Sequence, residues 1–304
     1  MTPKIIIHGG AWDIPKILHK AHLKGIKDAL NVGREILSKS DDSLETVLAI
    51  IKNLEDNPTF DAGKGSFLNS AGEVEMDAAI MVGEDLSIGA VAAIQNVKNP
   101  IEVANLVRTK SQHVLLVGVG AASFASAHNT QAAKTENLLV GREKKLHTQL
   151  SKQKEVNIKS FFEKKVPSDT VGAVVINSRG QIVVGTSTGG TPHKMAGRVG
   201  DCPIAGSGFF ADNLLGGVAC TGWGEGILRV QLAREVIDRV KAGVSPQKAV
   251  NDSVAYMRER VNGDGGVIFI NNAGKIAFAF NTPFMAVGAA TCEKINFVSL
   301  GHER

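Results

Sequence analysis

Aromatic residues, cysteines and long apolar runs are all scarce in this chain of 304 residues. Only 5% of the residues are Phe, Trp or Tyr, which argues against a surface of stacked aromatic side chains for nucleic acid. The three cysteines form no Cys-x-x-Cys pair, so the sequence excludes a zinc ribbon and disfavours a disulfide framework. No apolar run approaches the ~20 residues that cross a bilayer, and no secretion-signal core follows Met1. We therefore expect a cytoplasmic protein that binds neither membrane nor nucleic acid.

The net charge of +4 is concentrated in one segment, residues 141–168. This segment has eight Lys or Arg residues and three Glu residues, a net charge of +5, so the rest of the chain carries −1. A nucleic-acid surface would instead place its basic residues on a folded face. Because like charges repel and large apolar side chains are few here, we predict a mobile, solvated linker at about 141–168.

Hairpins and helices alternate on both sides of this predicted linker. Helical periodicity predicts helices at 16–38, 100–110, 121–134, 227–242 and 246–261. A further helix is expected between a cap at Asp42 or Ser43 and a stop at Asn57-Pro58. Apolar runs beside turn residues predict strands at 5–7, 75–82, 88–94, 113–119, 171–176, 182–186, 217–221, 266–270 and 276–280. This pattern favours one α/β domain over residues 1–304, a four-layer αββα sandwich with mainly antiparallel sheets.

Three familiar motifs of nucleotide-binding proteins and hydrolases are incomplete in this sequence. Gly118-Val119-Gly120 follows a predicted strand, as in dinucleotide-binding folds, but the third glycine is missing. Gly63-Lys64-Gly65-Ser66 does not have the spacing of a phosphate-binding loop. Gly206-Ser207-Gly208 does not have that of a serine nucleophile elbow. A packing turn is the better interpretation of the first motif, and the other two support no activity.

Hydroxyl side chains are dense between residues 166 and 226, directly after the predicted linker. Thr170 begins a predicted strand, and Thr188 lies at the end of the neighbouring hairpin strand, within reach of Thr170. A threonine hydroxyl becomes a good nucleophile when the α-amine of the same residue acts as its base. That chemistry requires Thr170 at an N-terminus, so the chain must be cut directly before it.

Charged and glycine residues in the same region complete a candidate hydrolase site. Arg198 is suited to bind a substrate carboxylate, and Asp201 is suited to bind an α-ammonium group. Thr221 and the backbone amide of Gly222 suit an oxyanion hole, in which hydrogen-bond donors stabilise a developing negative charge.

Four short motifs carry these residues. They are Asp-Thr-Val-Gly-Ala-Val at 169–174, Thr-Ser-Thr-Gly-Gly at 186–190, Gly-Arg-Val-Gly-Asp at 197–201 and Cys-Thr-Gly-Trp-Gly-Glu at 220–225. Further matches lie at 7–11, 60–66, 77–78 and 280–282. In this order and spacing, the motifs resemble those of the isoaspartyl peptidase/L-asparaginase family, the plant-type asparaginases among the N-terminal-nucleophile hydrolases. The resemblance covers nearly the whole chain except the linker.

The resemblance implies the αββα fold of those hydrolases and autocleavage between Asp169 and Thr170. The products would be an α subunit, residues 1–169, and a β subunit, residues 170–304, assembled as a dimer of αβ units. Thr170 would be nucleophile and base, with Thr188 supporting it. For Arg198, Asp201, Thr221 and Gly222, the resemblance implies the same roles in substrate and oxyanion binding that their chemistry suggests.

The implied reaction is hydrolysis of L-asparagine and β-aspartyl dipeptides, which releases L-aspartate and needs no cofactor for catalysis. A structural sodium ion is also implied. It would be held by the backbone carbonyls of Leu54, Glu55, Asn57, Phe60, Ala62 and Lys64.

Three departures from the family pattern leave the substrate preference open. Asp61 stands where many relatives have Asn, Trp12 replaces a common glycine, and Ala286-Val287 replaces an aromatic residue followed by Arg. Alternative functions on the same fold are a glycosylasparaginase or an aspartate-directed threonine endopeptidase. An uncleaved, inactive relative that acts as a binding protein is a further alternative.

Overall fold

The computed structural model describes residues 1–153 and 170–301. Its helices, after a single 3-10 turn at Lys16–Leu18, are α1 (His19–Ser40), α2 (Ser43–Glu55), α3 (Pro100–Lys110), α4 (Gly118–Ala127), α5 (Thr135–Leu138), α6 (Gly141–Leu150), α7 (Gly224–Val230), α8 (Leu232–Lys241) and α9 (Pro246–Val261). Its strands are β1 (Lys4–Trp12), β2 (Met76–Val82), β3 (Ser87–Ile94), β4 (Leu115–Val117), β5 (Thr170–Ile176), β6 (Ile182–Thr188), β7 (Phe209–Asp212), β8 (Gly216–Gly222), β9 (Gly265–Asn271), β10 (Ile276–Phe280), β11 (Phe284–Thr291) and β12 (Ile295–Ser299). None of the helices in these two ranges is long and apolar enough to cross a membrane.

The strands form two sheets. The larger sheet has eight strands in the order β12-β11-β1-β5-β6-β2-β3-β4, and the smaller has four in the order β10-β9-β8-β7. Neighbouring strands are antiparallel throughout the described ranges, except β3 and β4, which are parallel. The predicted mainly antiparallel architecture is confirmed.

Alternate side chains of β1 belong to different hydrophobic layers. Ile5 and Ile7 pack in one buried cluster with Leu30 of α1 and other apolar residues of α1, α2 and α3. Ile6, on the opposite face, belongs to a cluster that includes Phe209 and Ile268 of the smaller sheet. This partition follows from the two-residue period of a strand, which directs successive side chains to opposite faces. One face of the larger sheet is therefore covered by helices and the other by the smaller sheet.

The outer face of the smaller sheet is covered by a second helical layer. Val218 and Phe269 of that sheet share a buried cluster with Ile237 of α8 and Val250 of α9. The four layers are thus helices, sheet, sheet and helices, as the sequence predicted.

Helix α2 begins where the sequence signals a cap. The side chain of Asp42 accepts hydrogen bonds from the backbone N–H groups of Leu44, at 2.8 Å, and Glu45, at 3.0 Å. These are two of the donors that the first turn of a helix cannot pair internally. The predicted cap is confirmed, and α2 ends at Glu55, before Pro58.

Several predicted element boundaries are wrong. The predicted helix at 227–242 is broken by Gln231, which has a left-handed backbone with a φ of 49°. The predicted strand at 113–119 pairs only over Leu115–Val117, and α4 begins at Gly118. Strands β11 and β12 were not predicted, because their residues show no clear alternation, and β11 is buried on both faces. Local patterns do not show which faces become covered by other elements.

The predicted mobile linker at 141–168 is wrong in its first part, because residues Gly141–Leu150 form α6. Glu143 and Leu150 are buried there, and the guanidinium of Arg142 donates to the backbone carbonyl of Thr59 at 3.3 Å. Net charge describes a whole segment and does not reveal which of its residues face the protein. Residues 154–168 of the predicted linker, and Asp169 of the predicted cleavage site, lie outside the described residues.

Candidate active site

Thr170 and Thr188 face each other across the two central strands of the larger sheet. The antiparallel register of β5 and β6 pairs the first residue of one strand with the last residue of the other. The hydroxyl of Thr170 donates to the hydroxyl oxygen of Thr188 at 3.2 Å, and both side chains are buried. The backbone N–H of Gly190 donates to the same Thr188 oxygen at 3.0 Å. The structure thus brings together the two threonines that the sequence singled out.

Thr221 and Gly222 end strand β8 of the smaller sheet. Gly222 lines the same small cavity as Thr170, and the hydroxyl of Thr221 is buried without a hydrogen-bond partner in the described part of the chain. The backbone of Gly222 has a φ of 137°, and a Cβ atom there would lie 2.4 Å from the carbonyl oxygen of Asp264. Only glycine fits this position. The structure therefore places Gly222 at the cavity, whereas Thr221, the preceding residue of β8, is not among the residues that line it.

Arg198 lies in a slot between two glycines. A Cβ atom at Gly200 would be 2.8 Å from Nη1 of Arg198, and one at Gly224 would be 2.7 Å from Nη2. Nε of Arg198 donates to Oε1 of Glu225 at 2.9 Å, and Nη2 lies 2.9 Å from the same oxygen. Side chains at either glycine would displace the guanidinium, which is held by its contacts with Glu225. The sequence motif contains Glu225, but its role as the partner of Arg198 was not predicted.

Asp201 is buried beside Arg198. Burial raises the pKa of its carboxyl to about 7, and the charge of Arg198 partly opposes this rise. Its Oδ2 atom has no hydrogen-bond partner within residues 1–153 and 170–301. The carboxyl is therefore available to a ligand that carries a positive charge.

A small cavity joins these groups. Its lining includes five predicted site residues and four that were not predicted: Thr170, Thr188, Arg198, Asp201 and Gly222, with Gly190, Thr191, Gly200 and Gly224. Thr191 is buried, and its hydroxyl has no hydrogen-bond partner in the part of the chain that the structure describes. In the sequence, the one signal for Thr191 as a site residue is its position directly after the Thr-Ser-Thr-Gly-Gly motif. The cavity has the composition of a polar ligand site with both signs of charge.

His8 is a further neighbour of Thr170 that the sequence did not assign. It is fully buried on β1, opposite Gly172, where a Cβ atom would lie 2.2 Å from Nε2 of His8. Burial lowers the pKa of His8 to about 3, and the backbone of Thr170 partly opposes this change. The imidazole is therefore neutral at ordinary pH, and it packs against the backbone of the strand that carries Thr170.

The predicted sodium loop is tightly curled around its own carbonyls. A Cβ atom at Gly63 would lie 2.5 Å from the carbonyl oxygen of Glu55, and one at Gly65 would lie 2.4 Å from that of Phe60. Both glycines have positive φ angles, 55° and 107°, that other residues rarely adopt. The backbone N–H of Lys64 donates to the carbonyl of Glu55 at 2.7 Å, which leaves a second lone pair on that oxygen. Two of the six predicted carbonyls, those of Glu55 and Phe60, thus lie against this turn, and the sodium site stays a prediction. Within the described ranges, no cluster of three or more His, Cys, Asp or Glu side chains suits a metal ion.

The same loop is joined to the cavity. The backbone carbonyl of Asp61 accepts from the N–H of Gly189 at 2.9 Å. The carboxylate of Asp61 accepts from the N–H of Phe67 at 3.0 Å and would lie 2.1 Å from a Cβ atom at Gly189. Glu55 is the last residue of α2, and burial raises the pKa of its carboxyl to about 8. The hydroxyl of Ser187 donates to Oε1 of Glu55 at 2.7 Å. The loop thus supports the segment next to Thr188.

Comparison with known sequences identifies the family. The sequence model of the asparaginase family matches residues 1–299. The chain belongs to the asparaginase family. This asparaginase-family chain is 41% identical over 297 residues to the Bos taurus protein named isoaspartyl peptidase/L-asparaginase, which covers 97% of this chain and 96% of the relative. It is 40% identical over 298 residues to the Homo sapiens protein of that name, and the alignment covers 98% of this chain and 96% of that protein.

A third relative named isoaspartyl peptidase/L-asparaginase, from Xenopus laevis, is 40% identical over 296 residues, covering 97% of this chain and 94% of the relative. The resemblance seen in the sequence motifs is therefore confirmed over almost the full length. The residues of this asparaginase-family chain that depart from the family pattern are all buried. Trp12 packs edge-on to His22, with ring centroids 6.1 Å apart, whereas Ala286 and Val287 face opposite sides of β11.

Proposed function

We propose that this chain is an autoproteolytically activated amidohydrolase that cleaves β-aspartyl dipeptides and L-asparagine and releases L-aspartate. The printed names of the full-length relatives support the substrate class. The observation that carries the proposal is the Thr170–Thr188 hydroxyl contact, in one cavity with Arg198 and Asp201. A nucleophile, its supporting hydroxyl and two opposite charges thereby line one cavity.

The two charged side chains account for the substrate class. Arg198 would bind the α-carboxylate of the substrate, and the ionised form of Asp201 would bind its α-ammonium group. A residue inside an ordinary peptide has neither group free, so this cavity favours a β-linked or free asparagine residue. The arrangement disfavours the aspartate-directed endopeptidase and leaves glycosylasparaginase activity as the second candidate on this fold.

In the cleaved chain, the hydroxyl of Thr170 would act as the nucleophile. Its Oγ1 attacks the side-chain carbonyl carbon of the substrate while the α-amine of the same residue accepts the hydroxyl proton. The hydroxyl of Thr221 and the amide of Gly222 stabilise the oxyanion, and Thr188 holds Oγ1 in place. The carbon–nitrogen bond then breaks, and the proton passes to the leaving nitrogen. The result is a Thr170 ester and a released ammonia or amino acid.

Water completes the reaction. The α-amine of Thr170 takes a proton from a water molecule as its oxygen attacks the ester carbon. The ester bond to Oγ1 breaks, the hydroxyl regains its proton, and L-aspartate leaves. No cofactor takes part in these steps.

Maturation and assembly belong to the same proposal. Cleavage between Asp169 and Thr170 would give the α subunit, 1–169, and the β subunit, 170–304, which associate as a dimer of αβ units. A sodium ion in the carbonyl loop at 54–64 would hold the segment that supports Gly189. A reducing, cytoplasmic setting agrees with the free thiols of the three cysteines.

The test is to compare the parental protein with Thr170→Ala. A denaturing gel of the parental protein should show two bands, and N-terminal sequencing of the smaller should read Thr-Val-Gly-Ala-Val. Thr170→Ala should give one band and no release of L-aspartate from a β-aspartyl dipeptide. One persistent parental band without activity would favour the uncleaved binding protein, and an uncut but active parental protein would overturn the mechanism.

A further inference from the structure

We infer that Glu75 and Asp77 are positioning residues that aim Arg198 at the substrate by holding the backbone on both sides of it. The role of Arg198 rests on the proposed function. The contacts themselves are those of the folded chain. Glu75 directly precedes β2, and Asp77 is the second residue of that strand.

Each carboxylate accepts a hydrogen bond from a different backbone amide of the Arg198 loop. The N–H of Gly197 donates to both oxygens of Glu75, at 3.1 and 3.0 Å. The N–H of Gly200 donates to Oδ2 of Asp77 at 3.3 Å. The two amides lie immediately before Arg198 and two residues after it, so the loop is held at both ends of the segment that carries the guanidinium.

These two carboxylates are themselves fixed and buried. The exposed fraction is 7% for Glu75 and 0% for Asp77. Oδ1 of Asp77 accepts from the N–H of Ala93 at 2.8 Å, which fixes its carboxylate plane. The fully buried ammonium of Lys194 donates to the backbone carbonyl of Glu75 at 2.8 Å and compensates part of the negative charge. Burying carboxylates is costly unless they are hydrogen-bonded, so this arrangement holds its geometry.

The slot around Arg198 explains why the loop must be held. A Cβ atom at Gly200 or Gly224 would approach the guanidinium to less than 3 Å, so the guanidinium packs directly against both glycines. A shift of the 197–200 backbone would move the guanidinium out of the slot and away from Asp201. Glu75 and Asp77 precede the proposed cleavage site and Arg198 follows it. One fragment of the cleaved chain would therefore position the carboxylate-binding residue of the other.

The two carboxylates predict different responses to amide substitution. Each oxygen of Asp77 accepts from a separate N–H group, so Asp77→Asn must turn an NH₂ group against one of them. Glu75 offers both oxygens to one N–H, so Glu75→Gln retains an acceptor, whereas Glu75→Leu retains none. We expect Asp77→Asn and Glu75→Leu to raise KM for a β-aspartyl dipeptide by about tenfold or more, with kcat within about threefold. Glu75→Gln should stay within about threefold of the parental KM.

The matched control is Glu73→Gln, an exposed carboxylate two residues earlier that bonds to the side chain of Gln95. It should leave KM unchanged. All variants are first checked for cleavage on a denaturing gel and for the melting temperature. If Asp77→Asn does not fold, the comparison of Glu75→Leu with Glu75→Gln carries the test by itself.

A cycle with Arg198→Ala separates positioning from a merely structural role. Arg198→Ala alone should lower kcat/KM by about 30- to 1000-fold. Adding Asp77→Asn or Glu75→Leu to Arg198→Ala should cause no further loss, because the residue being positioned is gone. Equal losses in both backgrounds, or an unchanged KM in the single variants, would overturn the inference. An inactive parental protein would instead refute the proposed function, so the two failures are distinguishable.

Discussion

At the scale of single residues, burial decides which charges are available in the cavity. Asp201 and Arg198 are neighbours, yet burial raises the pKa of the Asp201 carboxyl to about 7. The carboxyl therefore gains and loses its charge near neutral pH. An ordinary surface aspartate would be ionised throughout this range. The proposed α-ammonium site is thus sensitive to pH in a way that the sequence does not show.

We predict that protonation of Asp201 lowers kcat/KM below about pH 7. A raised acid pKa means that the charged form, which binds the α-ammonium, is lost as the pH falls through about 7. Below that pH this group should lower kcat/KM about tenfold per pH unit, in addition to the limb from the Thr170 amine. The test is to measure kcat/KM for a β-aspartyl dipeptide as a function of pH between pH 5 and 8.5.

The matched variant for this profile is Asp201→Asn. In this variant kcat/KM should be lower at every pH. Below about pH 7 it should also fall less steeply than in the parental protein, by a factor of about ten per pH unit. A profile that keeps its parental steepness in Asp201→Asn would show that another group titrates.

At the scale of elements, α6 is held to the protein along its length. Arg142 contacts the backbone of Thr59, Glu143 and Leu150 are buried, and the ring of His147 lies 5.7 Å from that of His193, centroid to centroid. His193 belongs to the loop between Thr188 and Arg198. Deleting residues 143–157 would remove the buried side chains of Glu143 and Leu150 and the ring contact of His147. We therefore expect this deletion to destabilise the fold, whereas deletion of a solvated linker would not.

We predict that Leu150→Ala loosens α6. Removing a buried side chain at the end of a helix leaves a cavity and weakens its attachment. Amide hydrogen exchange across 141–150 should become at least about tenfold faster. The neighbouring exposed change Gln149→Ala should leave exchange nearly unaltered. Equal exchange in both variants would mean that Leu150 does not attach the helix.

Gln231 offers a second test at the scale of elements. It is exposed and joins α7 to α8 with a φ of 49° and a ψ of 56°, a conformation that costs a non-glycine residue energy. Gln231→Gly should therefore raise the free energy of unfolding by roughly 0.5–1 kcal/mol. Ala255→Gly, at an exposed position inside α9, should lower it by roughly 1 kcal/mol. Chemical denaturation measures both changes. A lower free energy of unfolding in Gln231→Gly would contradict the left-handed backbone conformation at this position.

At the scale of the whole molecule, the larger sheet interleaves the two proposed fragments. β1 lies between β11 and β5, and β6 lies beside β2. β1 therefore has hydrogen-bonded neighbours from after the proposed cleavage site on both edges, and β2 has one such neighbour. Neither fragment contains the complete larger sheet, whereas all four strands of the smaller sheet follow the proposed cleavage site. Each fragment contributes to the hydrophobic clusters on both faces of the larger sheet.

We predict that the cleaved fragments stay together until the whole protein unfolds. After complete cleavage they should co-elute in size-exclusion chromatography without denaturant. They should also unfold in one cooperative transition, because separation would break three strand pairs of the larger sheet and expose their edges. Far-UV and near-UV signals should change together. Elution as two separate folded species would contradict this arrangement of strands.

Some features follow from the sequence because their signals are local. Asp42 caps α2 through amides two and three residues away, and the hairpin that pairs Thr170 with Thr188 is formed by two apolar runs joined by a tight turn. The spacing of the four motifs also identifies the family, because each motif is short and continuous.

Other features were decided only by the tertiary structure, because they depend on contacts between distant parts of the chain. The attachment of α6, the place of β11 beside β1 and the pairing of Glu75 with Gly197 join residues far apart in sequence. The pKa of Asp201 depends on how completely other elements bury it. Periodicity and charge counts contain no information about which distant groups meet, so packing alone determines these contacts and the charge state of the site.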